Sequence, residues 1–214
     1  MSAFTEPVVA WRGSTAPDAP LVVLLHGRGS NEDDIIGLAD HLPARAAYAA
    51  VRAPIAEGGG FAWFANRGIG RPLADSLAST MAWFRAWLDD TATTGRPVVL
   101  VGFSGGAAFA GGLILDDPAR YTAAAILYGT LPFDAGVPTT PNRLDESRVL
   151  VIHGDSDTVI PRELLDRTWT YLTTDAGSVT TAVRDPGGHG LSAAALAELQ
   201  QWLTTILADV GSPS

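Results

Sequence analysis

The run Val98-Val99-Leu100-Val101 stops at Gly102, and a serine follows two residues later with two more glycines behind it. Consecutive apolar, mostly β-branched residues make a strand buried on both faces. The small-residue stretch after Ser104 has helical character to about residue 115. A strand, a sharp turn and a helix in one stretch constrain the fold strongly, because such a unit needs parallel neighbours and helices over the sheet. Gly102-Phe103-Ser104-Gly105-Gly106 also fits G-x-S-x-G. In that turn the serine is backbone-strained, its neighbours must be tiny, and its Oγ stands above the sheet. A glycine-rich turn without chemistry carries the same letters. The motif therefore needs an acid and then a histidine later in the chain.

Strand and helix patterns alternate along the rest of the sequence. An edge strand is expected over 8–11, then apolar strands at Leu21–Leu25, 46–51, 123–128, 148–152 and 179–183. Asn31 is placed to cap a helix whose first turn holds Glu32, Asp33 and Asp34, and Pro43 ends it. Further helices are expected over 72–90, from Pro161 to 175, and over 192–208, with a frayed tail from Gly211. Two long loops, 52–70 and 129–147, follow strands and so lie at the carboxyl edge of the sheet. The fold class is α/β, with a mostly parallel central sheet and helices on both faces. The whole chain, 1–214, is expected to form one such domain.

Composition narrows the function. The 14 basic against 23 acidic residues give a net charge of −9 with no basic cluster, which argues against a nucleic-acid partner. The absence of cysteine excludes disulfides, thiolate zinc sites and a cysteine nucleophile. No apolar run is long enough to span a bilayer and the first residues lack a signal-peptide pattern, so no integral membrane segment and a cytoplasmic location are expected. The assembly is expected to be a monomer or a homodimer.

Four histidines are available as the base: His26, His41, His153 and His189. His41 sits late in the first helix, as a surface residue. His26 and His153 each follow an apolar strand and precede glycine, as turn histidines holding backbone carbonyls do. His189 comes last, on a glycine-rich loop between the final strand and the final helix, where an imidazole can be exposed. Between Ser104 and His189, Asp155 and Asp157 both follow a strand. Asp155 falls in the immediate turn, where its carboxylate would bond to nearby amides, so Asp157 is the expected acid. The order Ser104, Asp157, His189 is that of nucleophile, acid and base in α/β-hydrolases. The oxyanion donors are expected to be the backbone N–H groups of Gly105 and Arg28. No cofactor and no metal are expected.

With these residues in hand the chain resembles the phospholipase/carboxylesterase family, which includes the acyl-protein thioesterases. The resemblance runs from about Leu21 to Leu207. It rests on Leu25-His26-Gly27 with Arg28, Ala62-Trp63-Phe64, Gly102-Phe103-Ser104, residues 127–132, His153-Gly154 with Asp157 and Pro161, and Gly188-His189. It implies an α/β-hydrolase fold without a large cap domain, and cofactor-free hydrolysis of carboxylic esters or thioesters. Family members often carry Gln where this chain has Gly105, and an Asp where the aromatic loop here continues as Ala65-Asn66-Arg67. A preference for phospholipid or protein thioester therefore does not carry over. The expected partner is a small-molecule ester, with lysophospholipase or acyl-thioesterase activity on longer chains as the alternative.

Trp63, Phe64, Leu131, Phe133 and Ile160 lie on loops above the sheet and are expected to contribute an apolar substrate pocket. Two readings from other classes are weaker. Gly27-x-Gly29 begins a dinucleotide fingerprint, but Glu32 replaces the third glycine and would repel a pyrophosphate. A non-catalytic binding protein of this fold has no need of serine, acid and histidine at three separate loops.

Overall fold

The apolar runs become the inner strands of one seven-stranded sheet. The computed structural model describes residues 4–210, so the tail expected to fray from Gly211 lies outside them. In chain order the elements are β1 (Val9–Gly13), β2 (Leu21–Leu25), α1 (Glu32–Ile36), β3 (Ala47–Val51), β4 (Ile55–Glu57), β5 (Gly60–Ala62), β6 (Asn66–Gly68), β7 (Arg71–Pro72) and α2 (Ala74–Thr91). They continue with β8 (Val98–Phe103), α3 (Gly105–Asp116), β9 (Ala123–Leu127), β10 (Arg148–Gly154), α4 (Arg162–Thr170), β11 (Val179–Asp185) and α5 (Ala193–Val210).

The central sheet runs β1-β3-β2-β8-β9-β10-β11. Only β1 is antiparallel, paired with β3 at one edge; every other neighbouring pair is parallel. Burial follows from this order. All five residues of β2 and of β9 are buried, because helices cover both faces. Successive side chains alternate between two cores. Val23, Leu25, Leu100 and Ile126 pack with Leu77, Met81, Phe84 and Leu88 of α2 and Phe109 and Leu113 of α3. Val22, Leu24, Val99 and Val101 pack with Ile35 and Ile36 of α1 and Leu199, Trp202, Leu203 and Ile206 of α5.

Several boundaries differ from those expected, each for a physical reason. The first helix keeps its cap, with Asn31 Oδ1 accepting from the amides of Asp33 and Asp34 at 2.8 and 3.0 Å. At Gly37 it tightens into a 3₁₀ turn over Gly37–His41, since glycine is a poor helix former. The helix expected to reach residue 175 is α4 followed by a π-helical turn over Tyr171–Asp175. The loop 52–70 contains the hairpin β4–β5, whose turn glycines Gly58 and Gly59 take φ of 60° and 87°. Two positive φ values in a two-residue turn match the twist of a hairpin. Finally, β10 and β11 each run two residues beyond expectation, because His153 pairs with Arg184 and Gly154 with Asp185.

Candidate active site

Close packing at the end of β8 sets the geometry of the serine turn. A Cβ on Gly102 would stand 2.2 Å from the Gly106 carbonyl oxygen, and one on Gly106 would stand 2.0 Å from that of Leu25. Both glycines of the motif are thus required by backbone contact rather than by turn chemistry. Ser104 between them has φ 55° and ψ −113°, inside the left-handed range that L-residues avoid. Hydrogen bonds hold it there: its N–H donates to the Leu127 carbonyl at 2.9 Å, and its own carbonyl accepts from Ala107 at 3.0 Å.

The loop after β11 brings His189 to this serine. Its Nε2 lies 2.9 Å from Ser104 Oγ and its Nδ1 2.8 Å from Asp157 Oδ2. Asp157 sits past the end of β10 with its side chain fully buried. Its other oxygen accepts from the amides of Val159 and Ile160 at 2.8 and 3.1 Å. Burial pushes this carboxyl upward, but the hydrogen bond from His189 and the two amides outweigh it and hold it below the usual carboxylate value. Asp155 is exposed; its ionic neighbour is Arg184, at 3.9 Å, not His189.

A second buried carboxylate fixes the histidine loop. Asp185, at the end of β11, accepts from the Tyr128 hydroxyl and, through Oδ1, from the Gly187 amide at 3.3 Å. The Tyr128 hydrogen bond is the main cause that lowers its carboxyl, with Gly187 and Ser192 adding to it against burial. Gly187 precedes His189 by two residues and Ser192 follows it by three, so one carboxylate grips the loop on both sides. The Phe103 ring completes the support, with its centroid 5.4 Å from that of His189.

Arg28 lies past the end of β2, the strand beside β8. A Cβ on Gly105 would stand 3.2 Å from the Arg28 backbone nitrogen, so this amide and the first turn of α3 adjoin. The Gly105 N–H is one of the helix-start amides with no intrahelical acceptor. The Arg28 side chain points elsewhere in bonding terms, to both Glu57 oxygens and, at 3.1 Å, to the Phe64 carbonyl.

The remaining histidines are structural. His26 is buried, with Nδ1 donating to the Gly27 carbonyl at 2.7 Å and Nε2 accepting from the Ala53 amide at 3.0 Å. His153 is buried inside β10 rather than on a turn, with Nε2 3.1 Å from the Gly129 carbonyl and Nδ1 unpartnered. His41 is exposed.

A cleft of about 380 Å³ opens beside Ser104 and His189. Its walls are Ile35, Leu38, Phe103, Leu127 and Leu191, with polar groups from Ser30, Asp34 and the 26–28 segment. The five residues expected to line a pocket, Trp63, Phe64, Leu131, Phe133 and Ile160, are not among the walls of this cleft. Trp63 is core: it stacks on Phe109 at 4.4 Å and donates its indole N–H to the His26 carbonyl at 2.8 Å. Phe64 and Leu131 are buried in the same core. Phe133 packs under the Arg167 guanidinium and edge-on to Tyr171. Ile160 joins Leu164 and Leu165 in a small cluster by α4. Large apolar side chains on these loops anchor the loops to the interior. The cleft wall comes instead from Ile35 of α1, Leu38 of the 3₁₀ turn after it, Leu127 at the end of β9, and Phe103 and Leu191 beside the catalytic candidates.

Comparison with known proteins places this arrangement. The sequence pattern that defines the phospholipase/carboxylesterase family matches residues 12–207. The chain belongs to that family. The sheet also superposes on a carboxylesterase from Bacillus cereus, with a TM-score of 0.82 at 21% identity over 94% of each chain. A carboxylesterase from Mesorhizobium loti gives 0.77 at 28% identity, covering 87% of this chain and 88% of that one. Arabidopsis thaliana SOBER1 gives 0.75 at 20% identity, covering 88% of this chain and 99% of that one. No curated protein matches significantly. Membership makes the chain a hydrolase of the phospholipase/carboxylesterase type. Among the described residues, no helix is long and apolar enough to cross a membrane, and no group of three His, Cys, Asp or Glu side chains could hold a metal ion.

Proposed function

We propose that the protein hydrolyses small carboxylic esters through Ser104, His189 and Asp157 by way of an acyl-enzyme. The observation that carries this is one imidazole spanning the Ser104 hydroxyl and a buried carboxylate, at 2.9 and 2.8 Å. A serine hydroxyl attacks at neutral pH only if a base takes its proton. With Nδ1–H held by Asp157, Nε2 of His189 is the free base and receives that proton as Oγ bonds to the ester carbon. The carbonyl oxygen becomes an oxyanion between the Arg28 and Gly105 amides, a pair of which either member is worth roughly 3 kcal/mol. His189 then protonates the leaving alcohol as the C–O bond breaks, leaving the acyl group on Ser104. Water then attacks the acyl carbon and gives its proton to Nε2, which returns it to Ser104 Oγ as the acyl–Oγ bond breaks and the acid leaves.

A cleft of about 380 Å³ accommodates a compact ester. The test is a chain-length series of chromogenic esters and thioesters with wild-type protein and Ser104→Ala. The expected outcome is best turnover with short esters and a loss of at least about a thousandfold in the variant. Near wild-type turnover by folded Ser104→Ala would contradict the assignment.

A further inference from the structure

The charged groups around the cleft are not balanced. The Arg28 guanidinium is tied to both oxygens of Glu57, and Arg52 is tied likewise to Glu32. Asp157 is committed to His189. His26 is buried, and burial drives its pKa below the ordinary histidine value against the upward pull of the Gly27 hydrogen bond and of Glu32 and Asp34. It therefore stays neutral. That leaves Asp34, on the cleft wall, as the charged group without an ionic partner among the described residues. Ser30 Oγ donates to its Oδ2 at 2.7 Å, which fixes this exposed carboxylate in the first turn of α1 without supplying a positive side chain to pair it.

The cleft also offers what an alkylammonium group needs besides a carboxylate. Ile35 and Leu38 give apolar surface for its carbon shell, and Phe103 gives an aromatic face. Among the described residues that line the cleft, no cation is free to receive a carboxylate or phosphate, and the net charge of −9 repels anions at long range. The leaving alcohol must sit within reach of His189 Nε2, its proton donor, and His189 shares this cleft with Asp34.

We infer that the site selects esters whose alcohol portion carries a positive charge, and that Asp34 is the residue that senses it. The inference rests on the hydrolase assignment above. It leaves the chemistry at Ser104 unchanged and concerns which leaving groups are held in place for it.

Three acetate esters test it: the choline ester, its uncharged 3,3-dimethylbutyl isostere, and a 3-carboxypropyl ester. Rates are followed by acid release with wild-type protein, Asp34→Asn and Asp34→Lys. The expected kcat/KM for the choline ester exceeds that of the neutral isostere by about three- to tenfold at low salt, and the carboxylate ester is poorest. The preference shrinks in high salt, falls to near one in Asp34→Asn and reverses in Asp34→Lys. Because each ratio compares esters on one preparation, partial misfolding of a variant cancels. Equal wild-type rates on the charged and neutral esters, or a preference that survives in Asp34→Asn, would overturn the inference while leaving ester hydrolysis intact. Hydrolysis of none of the three would overturn both.

Discussion

Ser104 occupies backbone space that costs a residue with a Cβ roughly 1–2 kcal/mol. Its hydrogen bonds to β9 and α3 hold it there, and the strain aims the hydroxyl at His189. Asp157 differs from Asp155 in burial and partners, not in chemistry, and this separates their variants. Asp157→Asn leaves the shape but favours the wrong imidazole tautomer, so kcat on an activated ester should fall by about 10⁴-fold. Asp155→Asn should leave kcat within about twofold, since its carboxylate faces solvent near Arg184. Steady-state kinetics on both variants checks this; the reverse ranking would contradict it. The meeting of Ser104, Asp157 and His189 was legible because a serine turn, an acid and a base each call for a particular residue type at a strand end and because the chain order is fixed. Trp63 and Phe133 turn their side chains inward to the core, and turning inward leaves no mark in sequence.

Elements carry the chemistry by where they end. The strands bearing Arg28, Ser104 and Asp157 finish at the same edge of the sheet, and β11 delivers His189 there. The alternating pattern made that edge legible. The hairpin β4–β5 was overlooked although Gly58-Gly59 is a recognised turn signal, and the π turn after α4 has no sequence signature. The grip of Asp185 on the histidine loop was equally hidden, since it depends on Tyr128 reaching across from the end of β9. Asp185 is a positioning residue. Asp185→Asn should lower kcat about tenfold, because the loop carrying the base loosens; Leu191 of the same loop lines the cleft, so KM should rise as well, but by less than kcat falls. A rise in KM with unchanged kcat would contradict that role.

At the scale of the molecule, buried titratable groups tie stability to pH. Burial first, then the charge of Arg184, pushes His153 down to about 4, against the hydrogen bond to Gly129. In the unfolded chain this imidazole takes up its proton near 6.5. The unfolded state therefore binds more protons between those values, and stability falls as pH drops through that window. The contribution is complete above about pH 6.5 and its loss by pH 4 is on the order of 3 kcal/mol. His26 acts in the same direction. The lowered carboxyls of Asp157 and Asp185 add stability above the usual carboxylate range that is lost as pH falls through their folded values. Urea unfolding at pH 7.5 and 5.0 should show the drop, and His153→Gln should flatten it; equal wild-type stabilities would contradict it. The central claim is that the fold gathers three distant side chains so that one hydroxyl becomes nucleophilic. Its most direct test is reaction with a serine-directed fluorophosphonate followed by intact-mass and peptide mapping. The account predicts one adduct per chain, on Ser104, formed far more slowly in His189→Ala. An adduct on another residue, or equal labelling of Ser104→Ala, would contradict it.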